Sequence, residues 1–330
     1  MIALRRIDHV GLRVADLDGA AARWAAQFGL TEVERRADRI RLACDDEPYA
    51  LELIAGTPLG LDHVAYELAA GCSLEQARAH LLDAGAPLAP GSPGAPPAPG
   101  APGGRDQEPA LHTTDPDGFG VELLPFRPPA DSRPAHARPA ANPAPGHPRK
   151  LGHVNFLTAD LPAQLAFYTA TLGMAVTDWL GDGGVWLHIN ADHHVMALIA
   201  QPAPPAPHFH HLAFDVVDIG ALRVALDHLG RHGRWLAWGP TRHGVGGNIA
   251  AYVRIPEENC LVELYCDMEV LERGHVPRHW PDDRHASNTW GQLPPRSYFR
   301  FDAAAIASEA ASLEALGIPL APLSPDKETP

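Results

Sequence analysis

Residues 7–16, IDHVGLRVAD, and residues 151–160, LGHVNFLTAD, decide the fold, because they are two versions of one segment. Each places a histidine (His9, His153) in an apolar run, an aspartate seven residues later (Asp16, Asp160) and a glycine twenty residues after the histidine (Gly29, Gly173). The interval reads as strand, helix N-cap, helix and glycine stop. In the later copy Leu165, Tyr168 and Leu172 fall on one helical face that Gly173 would end.

Working outward, each half holds a second unit of the same kind, starting at His63 in DHVAY and at His211 in HHLAFDV. After His63, Ser73 and Gln76 make a capping box, Leu74, Ala77 and Leu81 share a face, and Gly85 is the expected stop. After His211, Asp218 is the expected cap of a helix whose Leu222, Leu226 and Leu229 share a face before Gly230. Strand-like runs follow the helices: RIRLAC, YALELIA, GVWLHIN, HVMALIA and IAAYVRI. The sequence therefore predicts an α+β protein of four βαβββ modules, paired into two domains.

The expected boundaries are a first domain over residues 1–126, a Pro/Ala-rich linker over 127–149, a second domain over 150–266 and a tail over 267–330. The linker and a second Pro/Gly/Ala-rich stretch, 86–105, lack the apolar residues to build a core, so the latter reads as a flexible loop inside the second module. The tail carries Trp280, Trp290 and an Ala-rich helix from about residue 302 to 316, and is expected to pack over the second domain.

A formal charge of −14 and a pI near 5.7, with no basic stripe, exclude a nucleic-acid surface. No apolar run is long enough to span a bilayer, and the first residues lack the apolar core of a signal peptide, so no membrane association and a cytoplasmic location are expected. Cys44, Cys72, Cys260 and Cys266 show neither CxxC spacing nor a disulfide framework, and read as reduced thiols.

His153, His211 and Glu263 lie in LGHVNF, HHLAFDV and LVELYCD. Two imidazoles and a carboxylate are the facial triad that holds a non-haem Fe(II) and leaves positions open for reactants. A lone strand histidine is usually a satisfied core or surface residue, and this chain has 19 histidines. A carboxylate inside LVELY is different, because burying it without a cation or donors is costly. On pleated strands His153 shares a face with Asn155 and Leu157, and Glu263 with Leu261 and Tyr265, so the three ligands can point into one cup. Between and after them stand His194 in DHHVMAL and His243, Asn248 and Tyr252 in TRHGVGGNIAAY. A histidine near a metal can exchange a proton at neutral pH, and a tyrosine or second histidine can donate to oxygens that develop charge.

With these segments the chain resembles the type I extradiol ring-cleavage dioxygenases of the vicinal oxygen chelate superfamily over about residues 4–266. The resemblance implies two vicinal-oxygen-chelate domains, Fe(II) on His153, His211 and Glu263, and His194 as the acid/base residue beside the metal. It also implies His243 and Tyr252 beside the substrate, with Asn248 and His193 as substrate-binding or supporting residues. The reaction implied is insertion of O2 into the ring of a catechol next to its vicinal hydroxyls, in aromatic catabolism, by a homo-oligomer. One departure stands before the carboxylate: YVRIPEENCLVE replaces the family's usual Asp-Pro-x-Gly-Asn turn, and Glu257 and Glu258 in that turn are expected in solvent.

His9, His63 and Glu122 repeat the ligand order 144, 148 and 141 residues earlier, with Tyr49 where His194 stands and Leu111 and His112 near the place of Tyr252. The resemblance makes this half non-catalytic and leaves its metal binding open. A glyoxalase-like lyase or isomerase, a small-molecule-sequestering protein and a hydroxyphenylpyruvate-dioxygenase-like enzyme are the alternatives on the same scaffold.

Overall fold

The computed structural model describes residues 2–45, 47–89, 109–128, 144–201 and 208–295, together with Tyr298, Ala311 and Ala315. The first unit runs β1 (Leu4–Val14), α1 (Leu17–Phe28), β2 (Thr31–Arg35), β3 (Arg39–Ala43) and β4 (Leu51–Ala55). The second runs β5 (Gly60–Leu68), α2 (Leu74–Asp83), β6 (Leu111–Thr114) and β7 (Gly120–Leu124). These strands form one seven-stranded sheet in the order β2-β3-β4-β1-β5-β7-β6.

The third unit is β8 (Lys150–Thr158), α3 (Leu161–Ala166), β9 (Ala175–Leu180), β10 (Gly184–His188) and β11 (Met196–Ala200). The fourth is β12 (His208–Asp215), α4 (Ile219–Arg231), β13 (Leu236–Arg242), β14 (Ile249–Ile255) and β15 (Cys260–Cys266). With β16 (Arg278–Trp280) from the tail they make a nine-stranded sheet, β13-β14-β15-β12-β8-β11-β10-β9-β16. This is the expected α+β architecture. Among the described residues the second unit shows two strands after α2 rather than three, with a single antiparallel bridge from Leu88 to Thr113. Residues 90–105 of the expected loop, most of the linker and most of the tail helix lie outside the described residues.

Local chemistry explains the helix ends. Asp16 accepts from the amides of Asp18 and Gly19, and Gly29 closes α1 in the left-handed region at φ 72°. Both halves of the Ser73/Gln76 capping box are made, and Asp160 and Asp218 cap α3 and α4 by accepting from the amides of Ala163 and Ala221. Two helices depart from expectation. After α3 the chain widens into a π-helical turn over Phe167–Thr171, which buries Tyr168 and Leu172 while the Tyr168 hydroxyl donates to Asp115 at 2.9 Å. α4 runs through Gly230 to Arg231, and the left-handed residue is Gly233 at φ 71°. A glycine inside a helix costs about 1 kcal/mol, less than the roughly 1.5–3 kcal/mol from burying Leu229 beside it.

The halves pack against each other through one continuous apolar core. Trp24 of α1 meets Phe214 of β12 edge-on at 6.4 Å between ring centroids, and Phe119 lies 4.7 Å from Phe156. Carboxyl groups line this seam. Glu47 accepts the Leu151 amide at 2.7 Å, Asp115 holds Tyr168, and Glu258 pairs with Arg23. Glu258 is 1% exposed, so its expected place in solvent is wrong: the guanidinium that pairs with it arrives from α1, 235 positions away in sequence. Glu257 stays at the surface and binds Arg234 at 2.8 and 3.0 Å.

The described end of the linker is packed rather than free: Ala144 is buried and His147 pairs with Asp45 at 2.8 Å. In the tail, the Trp280 indole donates to Asp178 at 2.7 Å, and Trp290 is exposed. No disulfide joins Cys44, Cys72, Cys260 or Cys266. Among the described residues no helix is long and apolar enough to cross a membrane.

Candidate functional site

β8 and β12 are antiparallel neighbours at the middle of the larger sheet, and β15 runs parallel to β12. Register then fixes the ligands. Ala213 of β12 faces His153 on one side and Glu263 on the other, while His211 faces Asn155. Alternation along each strand points all three side chains to one face. His153 Nε2 and His211 Nε2 each lie 3.1 Å from Glu263 Oε2, and all three residues are buried. Bonds of about 2.0–2.2 Å to a metal at angles of about 90–109° would separate neighbouring ligand atoms by roughly 2.8–3.6 Å. The observed spacing fits such an ion.

The surroundings leave these atoms available. Asn248 donates to the other carboxylate oxygen, Glu263 Oε1, at 2.9 Å, which leaves Oε2 for the two imidazoles. His210 Nδ1 and His211 Nδ1 are 2.7 Å apart, and His210 Nε2 is 2.6 Å from the carbonyl oxygen of Tyr298. The carbonyl can only accept, so His210 donates from Nε2, accepts at Nδ1 from His211, and leaves the His211 Nε2 lone pair toward Glu263. Burial, followed in weight by the Glu263 contact that opposes it, leaves His211 below the ordinary histidine range, the neutral form a metal requires. Burial would raise Glu263, but the charges and hydrogen bonds of His153 and His211 hold it well below the usual carboxylate range.

A cavity of about 480 Å3 opens over the three ligands. His194, His243, Asn248 and Tyr252 all line it, so the structure brings these predicted residues together with the triad. The His194 ring stands 4.2 Å from that of His153. His194 is pushed well below the normal histidine range by burial and then by the nearby His153 and His193, so it is a neutral base at rest. His243 Nδ1 donates to the carbonyl of Ser287 at 2.7 Å, which leaves Nε2 to accept the Tyr252 hydroxyl at 2.7 Å. Burial, with Glu263 next, pushes the Tyr252 hydroxyl well above its ordinary value and keeps it protonated.

His193 is a correction. Expected at the substrate, it is 0% exposed, does not line the cavity, and sits behind His194 with Nδ1 to Nδ1 at 3.0 Å. Its Nε2 faces Asp178 at 3.1 Å. The wiring repeats that of His210 and His211: a fixed acceptor takes the rear proton, and the front ring is left with an outward acceptor nitrogen. Asp178, Trp238 and Tyr298 were not singled out from the sequence. The adjacent histidines in DHHVM and FHHLA are the signal from which the two relays could have been read.

In the smaller sheet the same register recurs. His9 faces Ala65, Ala65 faces Glu122, and His63 faces Gly11. His9 Nε2 and His63 Nε2 are 3.0 Å apart, with Glu122 Oε2 at 3.3 and 3.4 Å from them. The Tyr49 ring occupies the place of His194, 4.6 Å from His9, and Arg41 caps it at 4.4 Å. His112 pairs in register with Glu122, as Tyr252 does with Glu263.

Residues 150–261 match the Glyoxalase/Bleomycin resistance protein/Dioxygenase superfamily. The chain is 27% identical over 316 residues to metapyrocatechase 2 of Cupriavidus necator, covering 90% of this chain and 92% of that protein. It is 22% identical to a manganese-dependent 2,3-dihydroxybiphenyl 1,2-dioxygenase of Geobacillus genomosp. 3, over 79% of this chain and 85% of that one. The Mn(II)-bound glyoxalase of Novosphingobium aromaticivorans superposes with a TM-score of 0.75 at 24% identity, over 90% of this chain and 94% of the other. Residues 150–261 are thus similar to that superfamily, and over most of its length the chain is similar to proteins named as a metapyrocatechase and a dihydroxybiphenyl dioxygenase.

Proposed function

We propose that the C-terminal half is an Fe(II)-dependent extradiol dioxygenase that opens the ring of a catechol-type substrate beside its vicinal hydroxyls, with O2 as co-substrate. One observation carries the reading: the His153, His211 and Glu263 cluster lies at the base of a cavity that also presents a neutral histidine and a protonated tyrosine. The names of the relatives agree with it. A bound divalent ion would supply open positions that bring a catecholate and dioxygen together and stabilise the charge that develops.

The protein's own groups do the rest. Asn248 and the His210 relay hold the ligand atoms in their tautomer and orientation. His194, backed by His193 and Asp178, accepts the proton that a catechol hydroxyl must lose on binding. The Tyr252 hydroxyl, whose proton His243 Nε2 accepts at rest, can turn that proton from His243 to a substrate oxygen as negative charge grows there. Trp238, stacked on Tyr252 at 5.5 Å, and Tyr298 give an aromatic wall suited to a planar ring. Asn155 Oδ1 and Trp238 Nε1 are buried without a protein partner, and are available to a polar substituent on that ring.

Iron is preferred over manganese as the working ion, although a manganese-dependent relative exists. A cytoplasmic enzyme acting as a homo-oligomer completes the reading, in keeping with four cysteines outside any disulfide. Anaerobic loading with Fe(II) or Mn(II), followed by oxygen uptake against a catechol panel, tests both reaction and metal. Uptake with appearance of a coloured ring-opened product is expected, faster with iron. Background uptake at full metal occupancy would rule the reading out.

A further inference from the structure

We propose that His9, His63 and Glu122 form a second divalent metal site, structural rather than catalytic, so that the chain holds two metal ions. The three ligand atoms stand 3.0, 3.3 and 3.4 Å from one another. Bonds of about 2.0–2.2 Å to one ion predict roughly 2.8–3.6 Å for such separations. Each imidazole is backed by a carboxylate on its far nitrogen: Asp8 Oδ1 lies 2.9 Å from His9 Nδ1, and Asp62 Oδ2 lies 2.8 Å from His63 Nδ1. A carboxylate can only accept there, so it orients each ring and leaves the Nε2 lone pair facing inward. Two facing lone pairs 3.0 Å apart beside a carboxylate repel one another unless a cation sits among them.

The sequence also makes room for this arrangement. A Cβ on Gly11 would come within 2.4 Å of the His63 ring, so the missing side chain is what lets His63 lie over β1 toward His9. The support is stronger than in the C-terminal half, where His153 Nδ1 is buried without a partner. Space for a reactant is not built in, because Tyr49 under Arg41 fills the position of the His194 base. The nearby His112, 3.6 Å from Glu122 Oε1, offers a fourth nitrogen. Two imidazoles, a carboxylate and a possible third imidazole suit a first-row divalent ion such as Zn(II), Co(II) or Mn(II).

The test is the metal stoichiometry of the full chain, stripped with chelator and titrated with Co(II) under visible absorption, with bound metal counted after desalting. Wild type should take two equivalents and His211→Ala one, while the double variant His63→Ala/His211→Ala should take none. The His211→Ala chain leaves the N-terminal cluster untouched, so its result stands even where His63→Ala fails to fold. Glu122→Gln, nearly isosteric, should lower the affinity of that remaining equivalent at least tenfold with an unchanged circular dichroism spectrum. No metal on His211→Ala would overturn the second site, leaving a shared proton as the occupant of the cluster. One equivalent on wild type that survives in His211→Ala would uphold it and instead undo the C-terminal metal assignment.

Discussion

The two halves place two histidines and a glutamate in identical strand register, and they differ in what stands around those residues. In the C-terminal half the rings are backed by a histidine relay or by nothing, and the face above them is an open cavity lined by His194, His243 and Tyr252. In the N-terminal half each ring is tied to its own aspartate, and Tyr49 and Arg41 close the face. The comparison teaches that a duplicated ligand set divides its labour through its neighbours. Tight carboxylate support and a filled approach suit a fixed ion; a neutral base beside a cavity suits turnover.

The largest effect that would sharpen this contrast is at the base itself. His194→Ala should keep its metal and lose about 10²–10⁴-fold in kcat, whereas Tyr49→Phe, at the matching N-terminal position, should change kcat less than threefold. Equal losses in both would break the division. The relay behind the base comes next. His193→Ala and Asp178→Asn should each lower kcat by roughly 10–100-fold, through the tautomer and orientation of His194. Restoration of the wild-type pH profile by His193→Gln, which can still accept a proton from His194, would separate positioning from mere packing; an unaltered profile in His193→Ala would remove the relay from the account.

The smallest effect concerns the seam that joins the halves. Burial pushes Glu47 up to about 8, Glu258 to about 7 and Asp115 to about 6, against the opposing pull of Arg6, of Arg23 and of the Phe119 amide respectively. Each group then keeps its proton to higher pH in the folded chain than in the unfolded one. Their contribution to stability is full below about pH 4 and is lost as pH rises through 6 to 8. The Tm of wild type should therefore fall from pH 5 to pH 8.5 by more than that of the Glu47→Gln/Asp115→Asn/Glu258→Gln variant. Parallel curves would show that these carboxyls titrate as ordinary ones.

Much of this was legible in the sequence because it depends on local chemistry and on pleat. Asp16, Ser73, Asp160 and Asp218 were readable as caps from their neighbours alone, and strand alternation was enough to aim His153, His211 and Glu263 at one point. What escaped depends on contacts between distant segments. Glu258 looked like a surface residue because Arg23 lies in another unit, and His193 looked like a substrate contact because Asp178, on β9, anchors it from behind. Gly230 reads as a helix end, yet α4 runs one residue further, to Arg231, and the left-handed residue is Gly233. The tail's part in the site, through Ser287 and the Tyr298 carbonyl, matches no repeat and so had no pattern to read.

The most direct test of the central claim is an oxygen-electrode trace of Fe(II)-loaded wild type and His211→Ala given the same catechol. The account predicts uptake of one O2 per ring opened by wild type and at least a thousandfold slower uptake, near background, by His211→Ala. Comparable uptake by the two chains would place the chemistry elsewhere and contradict it.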